Sequence, residues 1–341
     1  IVTPNYHEFC LDLQTDAAGN FYYGKGAPWP PTVQSPHQGT MLKIAADGSK
    51  MDIIATGLRA PNGSGFGPNG WLTVSDNEGH YMPSSKLNLI RTGGFYGMRQ
   101  TAHGKAPPDD KINDYDQPIC WLPKNMDNSS GGQAWVTGKK WGPFENHLLF
   151  TSYGMGTLFH VMTEEIDGTV QAGMSQFPLT FPSGTMRARF NPADGQLYTT
   201  GLRGWQTRGT RDGAFCRVRY TGKPVLSVAK LNVKKTGVEL TFTQPLDKAS
   251  AEDVQNYSGE RWNYLRTSNY GSPEFSVENP DKKGHDKLDI TAAKLSADGK
   301  TVTLAITALK PVNQELLKFQ LKTAAGVEFK QDVLHTINVI P

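Results

Sequence analysis

Cysteine, long apolar runs and net charge are all scarce in this chain, and each scarcity closes off a class of function. The 341 residues include three cysteines, Cys10, Cys120 and Cys216, far apart in sequence. That spacing supplies neither the C-x-x-C-H of covalent haem attachment nor the paired C-x-x-C of a zinc site. Cys10 and Cys216 fall in predicted strands and read as buried thiols in preference to a disulfide, which leaves the redox compartment open. No apolar run approaches the ~18–20 residues of a membrane-spanning helix, and the opening Ile1-Val2-Thr3-Pro4-Asn5-Tyr6 does not read as a signal peptide. Lys+Arg 35 against Asp+Glu 32 leaves +3, too weak a basic field to favour a nucleic-acid partner. A soluble protein with no membrane span and no nucleic-acid partner is expected.

Turn residues and aromatics are plentiful: 36 Gly, 22 Pro and 10% Phe, Trp and Tyr. A helical period is missing, so the class is all-β. Residues 56–98 compress strand, tight turn, strand and polar loop into one unit, with Gly67-Pro68-Asn69-Gly70 joining Ser64-Gly65-Phe66 to Trp71-Leu72-Thr73-Val74. The device recurs at residues 11–23, around Asp16 and Gly19, and at 189–198, around Asp194-Gly195. Asp47-Gly48 and Asp167-Gly168 suit the outer hairpins of the same repeat. Such a repeat, at one to three times a ~40–50 residue period, reads as a β-propeller in residues 1–223, with a β-sandwich as the rival.

Composition shifts after Tyr220-Thr221-Gly222-Lys223-Pro224. Alternating runs at 233–238, 239–243, 287–290, 301–306 and 317–321 then read as strands with one wet face, so residues 224–341 suggest an Ig or fibronectin-III type sandwich. Arg261-Trp262-Asn263-Tyr264 with Tyr270-Gly271-Ser272 forms an aromatic loop, read as packing onto the propeller ahead of a ligand site.

The order Gly57-Leu58-Arg59, G-P-x-G-x-L, an acidic loop, Leu87-Asn88-Leu89-Ile90 and Gly93-Gly94-Phe95-Tyr96-Gly97 resembles the glucose/sorbosone dehydrogenase family of soluble quinoprotein aldose dehydrogenases. His7-Glu8-Phe9-Cys10-Leu11 is similar to the family's catalytic-histidine strand. Residues 148–156 and Met186-Arg187-Ala188-Arg189 match its last two cofactor loops. The resemblance spans residues 7 to about 220. It implies a six-bladed propeller carrying pyrroloquinoline quinone (PQQ) and Ca2+, in the periplasm or outside the cell, acting on a carbohydrate and passing electrons to a cytochrome c. A weaker likeness, to large secreted dehydrogenase-like propellers, covers the whole chain. At ~40–50 residues per blade, residues 1–223 hold about four blades. A further chain or segment is therefore expected to supply the others, with Ile1 beside it.

Residue roles follow from the resemblance and from the chemistry of oxidising a sugar hydroxyl. His7 is the expected base, because a neutral imidazole takes a proton near pH 7. Arg59 is the expected electrophile, aimed at charge that develops during reaction. Arg187 and Arg189, at i and i+2 of a strand, share a face and can reach one anion; with Asn62 they are the expected cofactor contacts. Glu78 and Gly79 lie in the loop expected to hold calcium, and His80, Arg203 and Trp205 on the expected substrate rim. One departure stands out: Gly154 occupies the place of the family's cofactor-anchoring lysine. Three functions follow as alternatives: a PQQ-dependent sugar dehydrogenase, a non-redox carbohydrate-binding or lyase-like propeller, and an interaction subunit of an extracellular assembly. The first two require His7, Arg59, Arg187 and Arg189 to meet at one pore mouth.

Overall fold

The computed structural model describes residues 7–30, 32–33 and 35–341; the expected surroundings of Ile1 lie outside them. Short-range chemistry sets the hairpins. Asp16 accepts from the backbone N–H of Ala18 and Asn20, both at 2.9 Å, and from Tyr22 Oη at 2.9 Å. Asp194 repeats the arrangement with Gln196 N and Tyr198 Oη, at 2.9 and 2.7 Å. An aspartate that closes its own turn and holds the tyrosine of the returning strand is what the recurrent Asp, Gly and aromatic pattern encodes. Gly70 turns the hairpin between Pro61–Phe66 and Leu72–Asp76 at φ 80°, a conformation that penalises any Cβ.

Sequence-consecutive strands pair antiparallel into five sheets among the described residues. The first holds Gln14–Thr15, Phe21–Lys25, Thr40–Ile44 and Met51–Thr56, edged by Gly94–Phe95 in parallel. The second runs Pro61–Phe66, Leu72–Asp76, Ser85–Ile90, Cys120–Leu122. The third runs Ser130–Trp135, Leu148–Ser152, Thr157–Ile166, Thr169–Thr180, and the fourth Gly184–Phe190, Leu197–Leu202, Gly213–Val218. Their leading strands touch backbone to backbone through glycine: a Cβ on Gly63 would sit 2.4 Å from Gly132 Cα, and one on Gly131 2.3 Å from Thr185 O.

The composition shift near residue 223 falls in the connector between Gly213–Val218 and Val228–Lys234. Beyond it, Val228–Lys234, Gly237–Phe242, Thr301–Ile306 and Ile290–Leu295 form the fifth sheet. Val312–Lys322 pairs with both Tyr257–Tyr264 and Glu328–Ile337. Glu328–Ile337 joins the third sheet through Gly173 with His335 and Met174 with Leu334. One core, including Leu231, Leu240, Val302, Leu317, Phe319 and Val333, fills the C-terminal part. Another, including Leu87, Cys120, Phe150, Phe159 and Met174, binds the second sheet to the third. All-β is the class observed, with a single five-residue α-helix, Lys248–Glu252, among the described residues, capped by Asp247.

Two local readings are corrected. The run 233–238 is not one strand: Lys235 and Thr236 turn a hairpin between Lys234 and Gly237, because the exposed Lys234-Lys235-Thr236 after Val233 satisfies a turn as well as an alternation. All three cysteines are free, but Cys10 is exposed and lies in no strand, the first strand among the described residues being Gln14–Thr15; Cys120 alone is fully buried and Cys216 is partly exposed.

Candidate functional site

Loop 77–83 and residues 7–9 meet at one face. Asp76, at the end of its strand and fully buried, accepts the backbone N–H groups of Arg59 (3.0 Å) and Ala60 (2.7 Å). Burial pushes its carboxyl up, against the pull of Lys86 and these donors. Lys86 faces Asp76 across the strand pair; it is wholly buried, donates to Tyr96 O at 2.5 Å, and desolvation brings it down to about 7. Asp76 thus fixes the backbone from which Arg59 projects. Gly79 leaves room for that side chain, since a Cβ there would stand 2.9 Å from Arg59 Cγ and Nε.

Arg59 Nη2 reaches His7 Nε2 at 3.5 Å and donates to Tyr270 Oη at 3.1 Å. His7 Nδ1 lies 3.0 Å from Ala27 O. A carbonyl can only accept, so the Nδ1 proton is fixed there and Nε2 carries the lone pair. Burial lowers the His7 pKa, the Ala27 bond opposes this, and the Arg59 charge adds to the lowering. The imidazole is therefore neutral and basic at the nitrogen beside the guanidinium.

Aromatic rings surround this pair. Trp29 stacks on His80 with centroids 5.6 Å apart at 13°, and Tyr270 meets both edge-on, at 6.4 and 5.7 Å. Phe9 stands 6.2 Å from His7, and Trp205 5.9 Å from Phe9. Tyr270 arrives from the C-terminal part because residues 267–272 dock on loop 79–83. Tyr81 N donates to Thr267 O (2.9 Å), Gly271 N to Gly79 O (3.1 Å) and Ser272 N to Pro83 O (2.8 Å); His80 Nδ1 lies 2.9 Å from Ser268 O. Arg266 locks the junction: it donates to the carbonyls of Tyr81 and Gly97 and lies over the ring of Tyr115 at 4.8 Å. A concavity of about 400 Å³, lined by Pro83, Tyr115, Trp121, Tyr264, Arg266 and Asn313, includes none of His7, Arg59, His80 and Tyr270.

The residues expected at one mouth fall into two clusters. His7, Arg59, Gly79, His80 and Trp205 belong to the face above, and Arg203 is exposed two residues before Trp205. Arg187, Arg189 and Asn62 gather instead around Asp12. Arg187 Nε and Arg189 Nη2 lie 3.3 and 3.0 Å from Asp12 Oδ1, Arg187 Nη1 donates to Asn62 Oδ1 at 3.2 Å, and Asn62 Nδ2 donates to Ser130 O. The i, i+2 pair does reach a single anion, but that anion is the protein's own. Burial lowers the Arg187 pKa and Asp12 restores it in part. Ser64 N and Oγ and Gln14 Nε2 also donate to Asp12, at 2.8, 3.0 and 3.1 Å.

Glu78 is paired with Lys124 at 2.6 Å, and among the described residues no group of three His, Cys, Asp or Glu converges as a metal site. A Cβ on Gly154 would stand 1.8 Å from Asn128 Oδ1, and Asn128 Nδ2 donates to Gln206 O at 3.2 Å. Arg187 and Arg189, the expected donors for a tricarboxylate quinone, are thus engaged by Asp12 within the chain, and these residues do not fit that group. Phe9, Trp29 and Tyr270 escaped the sequence reading as site residues. Only Tyr270 carried a signal, as an aromatic beside Gly271 in a turn.

No family model matches the chain, and no curated protein matches it. Among solved structures it is similar to a glucose dehydrogenase, at 19% identity and TM-score 0.46 over 62% of this chain and 63% of that one. It is similar also to a putative oxidoreductase (glucose dehydrogenase) from Thermus thermophilus, at 19% identity and TM-score 0.44 over 60% and 63%. An auxiliary nutrient binding protein from Bacteroides ovatus aligns at 9% identity and TM-score 0.33 over 96% and 70%. The chain spans 63% of the length of the glucose dehydrogenase that it resembles. No helix among the described residues is long and apolar enough to cross a membrane.

Proposed function

We propose that the protein binds a saccharide at the His7 face and acts on it by proton transfer, without a redox cofactor, on a propeller followed by an Ig-like module. One observation carries the reading: a neutral histidine whose Nε2 lone pair lies 3.5 Å from a guanidinium that also holds a tyrosine hydroxyl at 3.1 Å, ringed by aromatic side chains. On a uronate, Arg59 would pair with the carboxylate, acidifying the adjacent C–H. His7 Nε2 would take that proton; the electron pair forms the ring double bond and expels the glycosidic oxygen, which takes a proton from Tyr270 Oη. Atoms and charge balance with no further reagent. The test is ultraviolet detection of unsaturated uronate product when the full chain is incubated with uronic-acid polysaccharides, alongside binding to the same polymers. Product that disappears in His7→Ala supports the reading; neither binding nor product rejects it.

A second reading keeps the oxidation of a sugar hydroxyl, with PQQ, Ca2+, a cytochrome c acceptor and blades supplied by another chain, in the periplasm or outside the cell. The same His7 and Arg59 pair favours it, since a base beside a cation also suits hydroxyl oxidation. It requires the quinone to be held by groups other than Arg187 and Arg189. Aldose-dependent dye reduction after loading with PQQ and calcium decides between the two.

A further inference from the structure

We infer that the site takes a glycan chain, not a single sugar, with Trp205 as an outlying platform and the Trp29, His80 and Tyr270 group as a second, on either side of the sugar at His7 and Arg59. The inference rests on the saccharide reading above and deepens it. Two observations carry it independently.

The first is the state of Trp205. Its side chain is 77% exposed, so core packing does not account for it. Its backbone sits at φ 43°, the left-handed region, which is costly for a bulky residue. The turn that enforces this is tied down on several sides: Tyr153 Oη donates to Gly204 O at 2.6 Å, Thr207 Oγ1 to Tyr153 O at 2.9 Å, Arg208 N to Gly154 O at 2.7 Å and Arg203 N to Asp212 O at 2.8 Å. An indole held out into water on a braced turn, at a backbone cost, is a surface kept for contact. Its ring neighbours Phe9 and Tyr153 meet it edge-to-face, at 77° and 72°, and most of the indole stays open to solvent.

The second is the continuity of the rings. From Trp205 the centroids step 5.9 Å to Phe9, 6.2 Å to His7 and 6.1 Å to Trp29, with Tyr270 a further 6.4 Å on. Phe9, Trp29 and Tyr270 remain 38%, 38% and 47% exposed. Aromatic rings interrupted by one polar pair suit a ligand with apolar ring faces and hydroxyl or carboxylate edges. A flat protein partner would not require His7 and Arg59 midway.

The test is calorimetric titration of the full chain with uronate and neutral oligosaccharides of one to six units, for wild type, Trp205→Ala and Arg59→Ala. Affinity is expected to rise at least tenfold from mono- to tetrasaccharide. Trp205→Ala should remove most of that gain and leave the monosaccharide unchanged, whereas Arg59→Ala should weaken every length. Arg59-dependent affinity that is independent of length, or a length dependence untouched by Trp205→Ala, overturns this inference and spares the saccharide reading. Failure of every length to bind overturns both. Light scattering on the same samples covers the remaining case: a wild-type dimer that Trp205→Ala dissociates would assign the indole to a second copy and overturn the inference.

Discussion

Arg59 Nη2 donates to Tyr270 Oη at 3.1 Å across 211 residues of sequence, so the C-terminal part supplies a side chain to the site built on the second sheet. The tyrosine is about half exposed and the bond is formed at the surface. Tyr270→Phe should therefore change unfolding stability by no more than the ~0.5–1.5 kcal/mol net value of one hydrogen bond. Its effect on uronate binding should be larger, about tenfold, because Arg59 loses the group that orients it. Binding and thermal unfolding measured on the same variant check this; unaltered binding would detach the C-terminal part from the site.

Asp12 is predicted to be structural in its effect. Its side chain is 6% exposed and faces two guanidinium groups, Arg187 being the more enclosed at 19%. Asp12→Ala leaves those charges without their carboxylate, and breaking a buried pair from one side costs about 3–5 kcal/mol; the exposure of Arg189 places the outcome at the lower end. Saccharide affinity should stay within twofold in the folded fraction. Denaturant unfolding combined with titration separates the two effects, and a loss of binding without a loss of stability would return Arg187 and Arg189 to the ligand site.

The Arg187 and Arg189 case shows how far the sequence could be read. Their spacing correctly put both side chains on one face and at one anion, because strand periodicity is local. The identity of the anion was not local: Asp12 lies 177 residues from Arg189, and nothing in L-D-L-Q-T-D distinguishes it from a solvated turn. Turn chemistry was legible for the same reason that the strand faces were, Asp16 and Asp194 each bonding within six residues. His7 and Arg59 came together as expected. Trp29 did not show itself, since an aromatic in a Pro-rich loop looks like core until its exposure is known, and Phe9 sat in a segment that reads as a strand.

Glycine at the sheet junctions provides a stability prediction. Gly131 has no room for a methyl group, with Thr185 O at 2.3 Å and Thr151 O at 2.6 Å from the Cβ position, both backbone atoms of neighbouring strands. Gly131→Ala must push neighbouring sheets apart and should destabilise by about 1–3 kcal/mol, the range for overpacking. Gly213, at the start of an edge strand, has Gly201 O at 3.6 Å from its Cβ position, an ordinary contact distance. Gly213→Ala should fall within ~0.5 kcal/mol of wild type. Paired chemical denaturation curves measure both, and equal stability of the two variants would contradict the close approach of the leading strands.

Acid should weaken the fold through His160. The ring is buried, stacks on His147 with centroids 4.8 Å apart, and holds its Nε2 2.6 Å from His147 Nδ1. Desolvation first, and the neighbouring His147 second, bring its pKa down to about 3. The folded protein therefore refuses a proton that the unfolded chain accepts below its ordinary value near 6.5. Where the unfolded state binds more protons, stability rises with pH. The contribution is fully present above about 6.5 and is lost progressively as pH falls towards about 3, amounting to roughly 2 kcal/mol by pH 5 at 1.36 kcal/mol per pH unit. His160→Gln removes the titration at a cost in packing against Phe144, whose ring centroid lies 4.8 Å away. The variant should start less stable at pH 7.5 and show a flatter decline to pH 5 than wild type in urea unfolding. Parallel declines would mean that another group carries the acid sensitivity, and His147, whose pKa burial also lowers, would be the next to replace.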